Sequence, residues 1–273
     1  MTPVFKKLFF IILCVTIDGS EIPNFKDLSQ TKGSVFFLST TRSGSNLISG
    51  SLGAITRKPI AWLYWKDKVF KASTARYYRN QISYNRLNLP LVTDIPLLYR
   101  THVEFDELRQ IPSYQNKLIF VTRNPRELLL RAFFLTSPTS TLPDKEFIAE
   151  FLKSYITPFE VYDSWAIENR CLVFYEDFIE KDEEILLDIL KFIDERPLYF
   201  EDFIENKGEY MSRLLDSYRE QHVKMAGGSS AANGPQPLFY SNKASQETLE
   251  YLDQSIEEAS PEIWEKYLKR FAW

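Results

Sequence analysis

The sequence predicts an α/β fold in which helices cover both faces of a central, mainly parallel sheet. Short uninterrupted apolar runs alternate with longer stretches of helical periodicity, the order expected of strand–helix units. The apolar runs lack the in–out alternation of a strand with one wet face, which suits strands covered on both sides. The chain has 273 residues, 44% of them hydrophobic and 15% aromatic, enough for one such domain with a substantial core.

Strands are expected at "SVFFL" (34–38), "IPLLYR" (95–100), "KLIFVT" (117–122) and "CLVFY" (171–175). Helical patterns follow several of them. After the first strand, Ile48, Leu52 and Ile55 recur at helical spacing on one face. "RELLLRAFFL" follows "KLIFVT", and "DEEILLDILKFI" follows "CLVFYEDF". Near the end, "SPEIWEKYLKRF" places Ser260 at an N-cap and Pro261 at the first helical position. The small-residue stretch "AGGSSAANGPQP" (226–237) reads as a surface loop, with a flap over a ligand as the alternative.

The first 20 residues have two open readings. Lys6 and Lys7 precede an apolar run from Leu8 to Ile17, as in a secretory signal or short anchor. That run is shorter than the roughly 20 residues of a membrane span. Asp18 and the absence of an A-x-A site fit a buried helix or strand instead. The expected location is secretory or membrane-associated if residues 1–20 act as a signal, and cytoplasmic otherwise. Residues 30–273 read as a single domain.

Composition excludes several classes of function. A net charge of −4 argues against general nucleic-acid binding. The only cysteines are Cys14 and Cys171 and the only histidines His102 and His222, so no metal site is expected. Between Arg57 and Arg86 lie eight Lys or Arg and one acid, Asp67, a local net of +7 that leaves −11 for the rest. Six Trp and Tyr residues are interleaved with these cations. The common reading of such a block is a solvated, partly helical face; a preference for a sugar-like or anionic partner is the alternative.

Two strand–loop–helix junctions carry the chemistry. In "SVFFLSTTRSGSNLISG" a strand, a glycine turn and a helix start aim backbone N–H groups at one point, where the helix dipole adds positive potential. Ser43, Gly44, Ser45 and Asn46 supply donors and a close backbone approach, and Arg42 offers a planar fork for a tetrahedral oxyanion. The loop lacks the G-x-x-x-x-G-K-[ST] pattern of a Walker A loop, and no G-x-G-x-x-G follows a strand. No carboxylate suited to hold magnesium ends an apolar strand; Asp94 precedes one. "KLIFVTRNPRELLLRAFF" repeats the arrangement, with Arg123 in the turn, Pro125 at the helix start and Arg131 two turns further on.

At these residues the chain resembles the sulfotransferases that use 3'-phosphoadenosine 5'-phosphosulfate (PAPS) and release 3'-phosphoadenosine 5'-phosphate (PAP). "TTRSGSNLIS" resembles their 5'-phosphosulfate loop, in the R-S-G-S form common among carbohydrate sulfotransferases. "VTRNPRELLLRAFF" resembles their 3'-phosphate loop. "LLYRTH" (97–102) is similar to the L-x-K-T-H segment that carries the catalytic histidine of the cytosolic branch. "FYEDF" (174–178) is similar to the family's Y-E-D segment. The matches agree in order and spacing over roughly residues 34 to 200. Arg42 stands where the family has lysine, Arg131 where it has serine and Leu47 where cytosolic members have tryptophan. The late R-K-G-x-x-G segment is not recognisable.

The resemblance implies a P-loop-like three-layer α/β/α domain that transfers a sulfuryl group from PAPS to an acceptor hydroxyl. Carbohydrate is favoured as the acceptor, with a small phenol or alcohol second and protein tyrosine third. Cofactor binding falls to Arg42, Ser43, Gly44, Ser45, Asn46, Arg123 and Arg131, and catalysis to Arg42 and to His102 as base, without a metal. Glu176 and Asp177 are expected to be structural hydrogen-bonding groups at a strand end, Cys171 a buried strand residue and His222 structural. No nucleic-acid partner is expected, and a membrane enters only if the N-terminal segment is retained. The alternatives are a sulfotransferase-like binding protein without catalysis and a P-loop nucleotide kinase.

Overall fold

A computed structural model of the chain describes residues 31–40, 43–66, 69–73, 89–93, 95–101, 108–136, 145–213 and 244–271. Residues 1–30, Arg42, Asp94, His102, His222 and the 226–237 stretch lie outside them, so the readings made for those positions have no structural counterpart here.

The strands are β1 (Val35–Ser39), β2 (Ile60–Lys66), β3 (Val69–Ser73), β4 (Leu98–Thr101), β5 (Lys117–Thr122) and β6 (Arg170–Phe174). They form one sheet in the order β3-β2-β4-β1-β5-β6. All neighbouring pairs are parallel except the edge hairpin β2–β3. The helices α1 (Ser45–Thr56), α2 (Pro125–Thr136), α3 (Lys145–Asp163), α4 (Tyr175–Glu180), α5 (Asp182–Phe192), α6 (Phe200–Glu205) and α7 (Gln246–Ala259) make the outer layers. The chain then continues helically from Pro261, with a π turn over Trp264–Leu268 and a 3₁₀ turn over Lys269–Phe271.

Alternate residues of each central strand feed two separate cores. Phe36, Leu38, Leu118 and Phe120 pack with Leu129 of α2, Leu152 and Phe159 of α3, and Leu252 and Ile256 of α7. Phe37, Ile119 and Val121 pack on the other face with Ile48, Leu52 and Ile55 of α1, Leu186 and Ile189 of α5, and Phe203 of α6. Burying each such side chain contributes about 1.5–3 kcal/mol before the entropy of ordering it is subtracted. Continuous apolar runs therefore mark the central strands here, because both of their faces are buried.

Three local expectations change. The strand expected over 95–100 begins only at Leu98; Pro96 cannot donate to a ladder, and Ile95 is 74% exposed. The basic aromatic block does not form a solvated, partly helical face over its first half: Ile60–Lys66 and Val69–Ser73 are strands, with Ile60, Ala61 and Leu63 buried. Ser260 precedes the last helical run as expected, but its side chain makes no cap hydrogen bond. The side-chain cap belongs to Ser245, whose Oγ accepts from the Thr248 N–H at 3.2 Å and starts α7.

Candidate functional site

The two junctions singled out in the sequence follow adjacent parallel strands, so both emerge at the same carboxyl edge. β1 and β5 are in register with Ser39 opposite Val121. Beyond them the Thr40 N–H donates to the Val121 carbonyl at 3.1 Å, and the Thr40 and Thr122 hydroxyls lie 3.3 Å apart. From this edge the chain departs in opposite directions, α1 packing on one face of the sheet and α2 on the other. Strands whose connections leave to opposite faces open a crevice between their carboxyl ends, the usual ligand position in open α/β sheets. Thr101, the last residue of β4, lies opposite Leu38 at the same edge. Arg42 and His102 are outside the described residues.

The first junction is a tight turn. The Ser43 hydroxyl donates to the Thr40 carbonyl at 2.8 Å, and Gly44 takes a left-handed φ of 79° before α1 begins. Leu47 and Ile48 give the first helical hydrogen bonds, to the Gly44 carbonyl. The N–H groups ahead of them have no acceptor within the helix. Gly44, at the N-cap, has no side chain to cap α1, and the first turn of the helix carries no acidic residue to offset its positive end.

Beneath this turn lies Arg100, 1% exposed, which sequence reasoning passed over. Its guanidinium donates to Ser45 Oγ at 2.6 Å, to Ser49 Oγ at 3.3 Å and to Asn46 Oδ1. Because arginine only donates, Ser45 and Asn46 must accept from it. Arg100 thereby fixes the side-chain oxygens of both residues at the start of α1. The available signal was a charged residue closing a buried run, "PLLYRT", where a cation persists only if it is satisfied.

At the second junction Asn124 organises the helix start. Its Oδ1 accepts from the Arg126 N–H at 3.0 Å, and its own N–H donates to Glu176 Oε1 at 3.1 Å. The Arg123 carbonyl accepts from the buried Tyr155 hydroxyl at 2.9 Å. The Arg123 guanidinium lies over the Tyr175 ring, 4.6 Å from its centroid. Its Nε is 3.6 Å from Glu176 Oε1, and its Nη2 is 4.0 Å from Glu127 Oε2. Burial pulls the Arg123 pKa down; Tyr175, Glu176 and Glu127 resist this, while the Arg131 charge adds to it. Burial likewise raises the Glu176 carboxyl, against hydrogen bonds from its own N–H and that of Asn124 and against the Arg123 charge.

Arg131 is half-buried on α2, and its positive charge acts on both Arg123 and Tyr175. Helix α2 runs unbroken from Pro125 to Thr136, with Arg131 in its second turn. Glu176 and Asp177 act as structural groups: Glu176 holds the Asn124 turn, and Asp177 pairs with Arg270 at 3.0 Å. Cys171 is half-buried on β6, and burial pushes its thiol up to about 11. Among the described residues no group of three or more His, Cys, Asp or Glu is arranged to hold a metal. Nor is any helix there long and apolar enough to cross a membrane.

The layered, mainly parallel sheet is a sulfotransferase-like fold, and solved structures of that class share it. Over 94% of this chain and 96% of the other, it superposes on mouse sulfotransferase SULT7A1 complexed with PAP, with a TM-score of 0.51 and 16% identity. Retinol dehydratase superposes over 87% of this chain and 84% of its own. Its complex with retinol and PAP gives a TM-score of 0.51 at 12% identity, and its complex with androsterone and PAP gives 0.53 at 13%. No protein-family model and no curated protein sequence matches the chain.

Proposed function

We propose that this protein transfers a sulfuryl group from PAPS to the hydroxyl of an acceptor. The observation that carries the reading is the juxtaposition of the two junctions: adjacent strands present a helix start with no acid in its first turn and an arginine-bearing turn to one crevice. A doubly phosphorylated adenosine has anionic groups at both extremities of its ribose, and the two junctions match them in charge and in number. Such a carrier would supply the activated sulfuryl group.

The α1 N–H groups, Ser45, Asn46 and Arg42 hold the 5'-phosphosulfate end, where negative charge grows as the sulfur–oxygen bond to the leaving phosphate breaks. Arg123 and Arg131 hold the 3'-phosphate and fix the register of the carrier. His102 takes the proton of the acceptor hydroxyl as its oxygen bonds to sulfur, a role suited to a side chain with an ordinary pKa near ~6.5. Positioning and preorganised charge do most of the work, as in phosphoryl transfer.

For the acceptor, carbohydrate is favoured by the R-S-G-S form of the first loop and by the basic aromatic block. A small alcohol comes second, in line with the retinol and androsterone held by retinol dehydratase.

Calorimetric titration with PAP, and separately with ATP and magnesium, tests the assignment. Heat with PAP that needs no magnesium and is lost in Arg123→Ala is the expected result. Heat with ATP alone would replace the proposal with a nucleotide kinase, and no heat with PAP would overturn it. With an acceptor library and PAPS, His102→Ala should lower turnover far more than PAP affinity; unchanged turnover removes His102 from the mechanism.

A further inference from the structure

Tyr175 links the two junctions. It is the first residue of α4, directly after β6, and is 8% exposed. One edge of its ring lies against Gly44: a Cβ built there would fall 2.1 Å from Cδ2 and 2.3 Å from Cε2. The Arg123 guanidinium lies over the face of the same ring. The first turn, the aromatic plate and the arginine of the second turn therefore stand in a row, each in contact with the next.

Two carboxylates stand near Arg123 without a short contact. Glu176 and Glu127, at 3.6 and 4.0 Å, are farther away than the roughly 2.7–2.9 Å of a charge-assisted hydrogen bond. Both carboxylates are largely buried, with side-chain exposures of 19% and 2%, so their attraction for the guanidinium is weakly screened. Stacking on an aromatic face opposes that attraction and leaves the in-plane N–H groups of arginine directed outward from its edge.

We propose that Tyr175 is a positioning residue: its ring holds the Arg123 guanidinium off Glu176 and Glu127, at a distance from the first loop set by contact with Gly44, and thereby gives the site its preference for a 3'-phosphate. This rests on the PAPS reading above. It goes beyond that reading by assigning discrimination between adenosine nucleotides with and without a 3'-phosphate to a residue that need not touch that phosphate.

The test compares the dissociation constants of PAP and adenosine 5'-phosphate in the wild type, Tyr175→Phe, Tyr175→Met and the double variant Tyr175→Met/Glu176→Gln. Both contacts are made by the ring itself, so Tyr175→Phe should keep the preference for PAP. Tyr175→Met, which fills the space without an aromatic face, should weaken PAP about tenfold, within the range of a desolvated cation–π contact. Adenosine 5'-phosphate should change less than about threefold, because its contacts lie at the first loop. Adding Glu176→Gln removes one competing charge, keeps the acceptor for the Asn124 N–H, and should restore part of the preference.

A preference that survives in Tyr175→Met overturns the inference, and so does its equal loss in Tyr175→Phe. If the methionine variant does not fold, by its melting curve, Tyr175→Leu is read against the same criteria. A wild type that binds both nucleotides equally refutes the PAPS reading, and the inference falls with it; the wild-type arm alone separates that failure from the other two.

Discussion

Gly44→Ala tests the packing at the centre of the site. Two costs can be worked out. Gly44 has a φ of 79°, and an L-residue in that left-handed region costs roughly 1–2 kcal/mol. The new methyl would also stand 2.1 and 2.3 Å from two ring carbons of Tyr175, where carbon–carbon contact is normally about 3.5–4.0 Å. The ring cannot swing away freely, because it is buried and carries Arg123 on its face. Overpacking of this kind costs typically about 1–3 kcal/mol. The sum is a destabilisation of about 2–5 kcal/mol, read by urea denaturation as a lower midpoint at unchanged slope. In a Tyr175→Ala background the steric part vanishes and only the backbone part remains, so the double-mutant cycle should show a coupling of about 1–3 kcal/mol. A Gly44→Ala protein within about 0.5 kcal/mol of wild type, or a cycle with no coupling, would refute the packing argument.

Three further outcomes follow from the described contacts. Tyr155→Phe removes the buried hydroxyl that donates to the Arg123 carbonyl and should destabilise the protein by about 1–3 kcal/mol, measured by the same denaturation. Arg100→Lys keeps the charge but replaces a rigid fork with a single point of attachment; PAP affinity should fall about tenfold, and wild-type affinity would show that Ser45 and Asn46 need no such support. Asp163 accepts from Lys266 at 2.7 Å and Arg170 at 2.8 Å and also from Tyr267, and although burial works against its charge, these partners hold its carboxyl below the ordinary range. An acid with a depressed folded pKa contributes stability that is complete above its unfolded value, near ~3.9, and is lost as pH falls through the folded value. The stability gap between wild type and Asp163→Asn should therefore be widest near neutrality and shrink in acid below about pH 4; a gap independent of pH would contradict this.

Local pattern reveals what depends on neighbours in the chain. "SVFFL" and "KLIFVT" read as strands because both faces of β1 and β5 are apolar, and the glycine turn before Ile48, Leu52 and Ile55 marks the start of α1. β2 and β3 were hidden because the lysines at 58, 66 and 71 give the segment the composition of a wet surface, while Ile60 and Leu63 are fully covered by distant parts of the chain. Arg100 was visible as a charge at the end of an apolar run, yet its role depends on β4 lying beside β1, so that it reaches Ser45 and Asn46 from 54 or more residues away.

The sequence alone determined the fold class, the two strand–turn–helix junctions and the residue types in them, because hydrophobic period, glycine and proline act over a few positions. Only the tertiary structure decided that the turns share one edge, that their helices leave to opposite faces and that Tyr175 lies between Gly44 and Arg123. Those facts depend on the order of strands in the sheet. That order is set by how two cores fill on opposite faces, a property of the whole chain that no short segment carries.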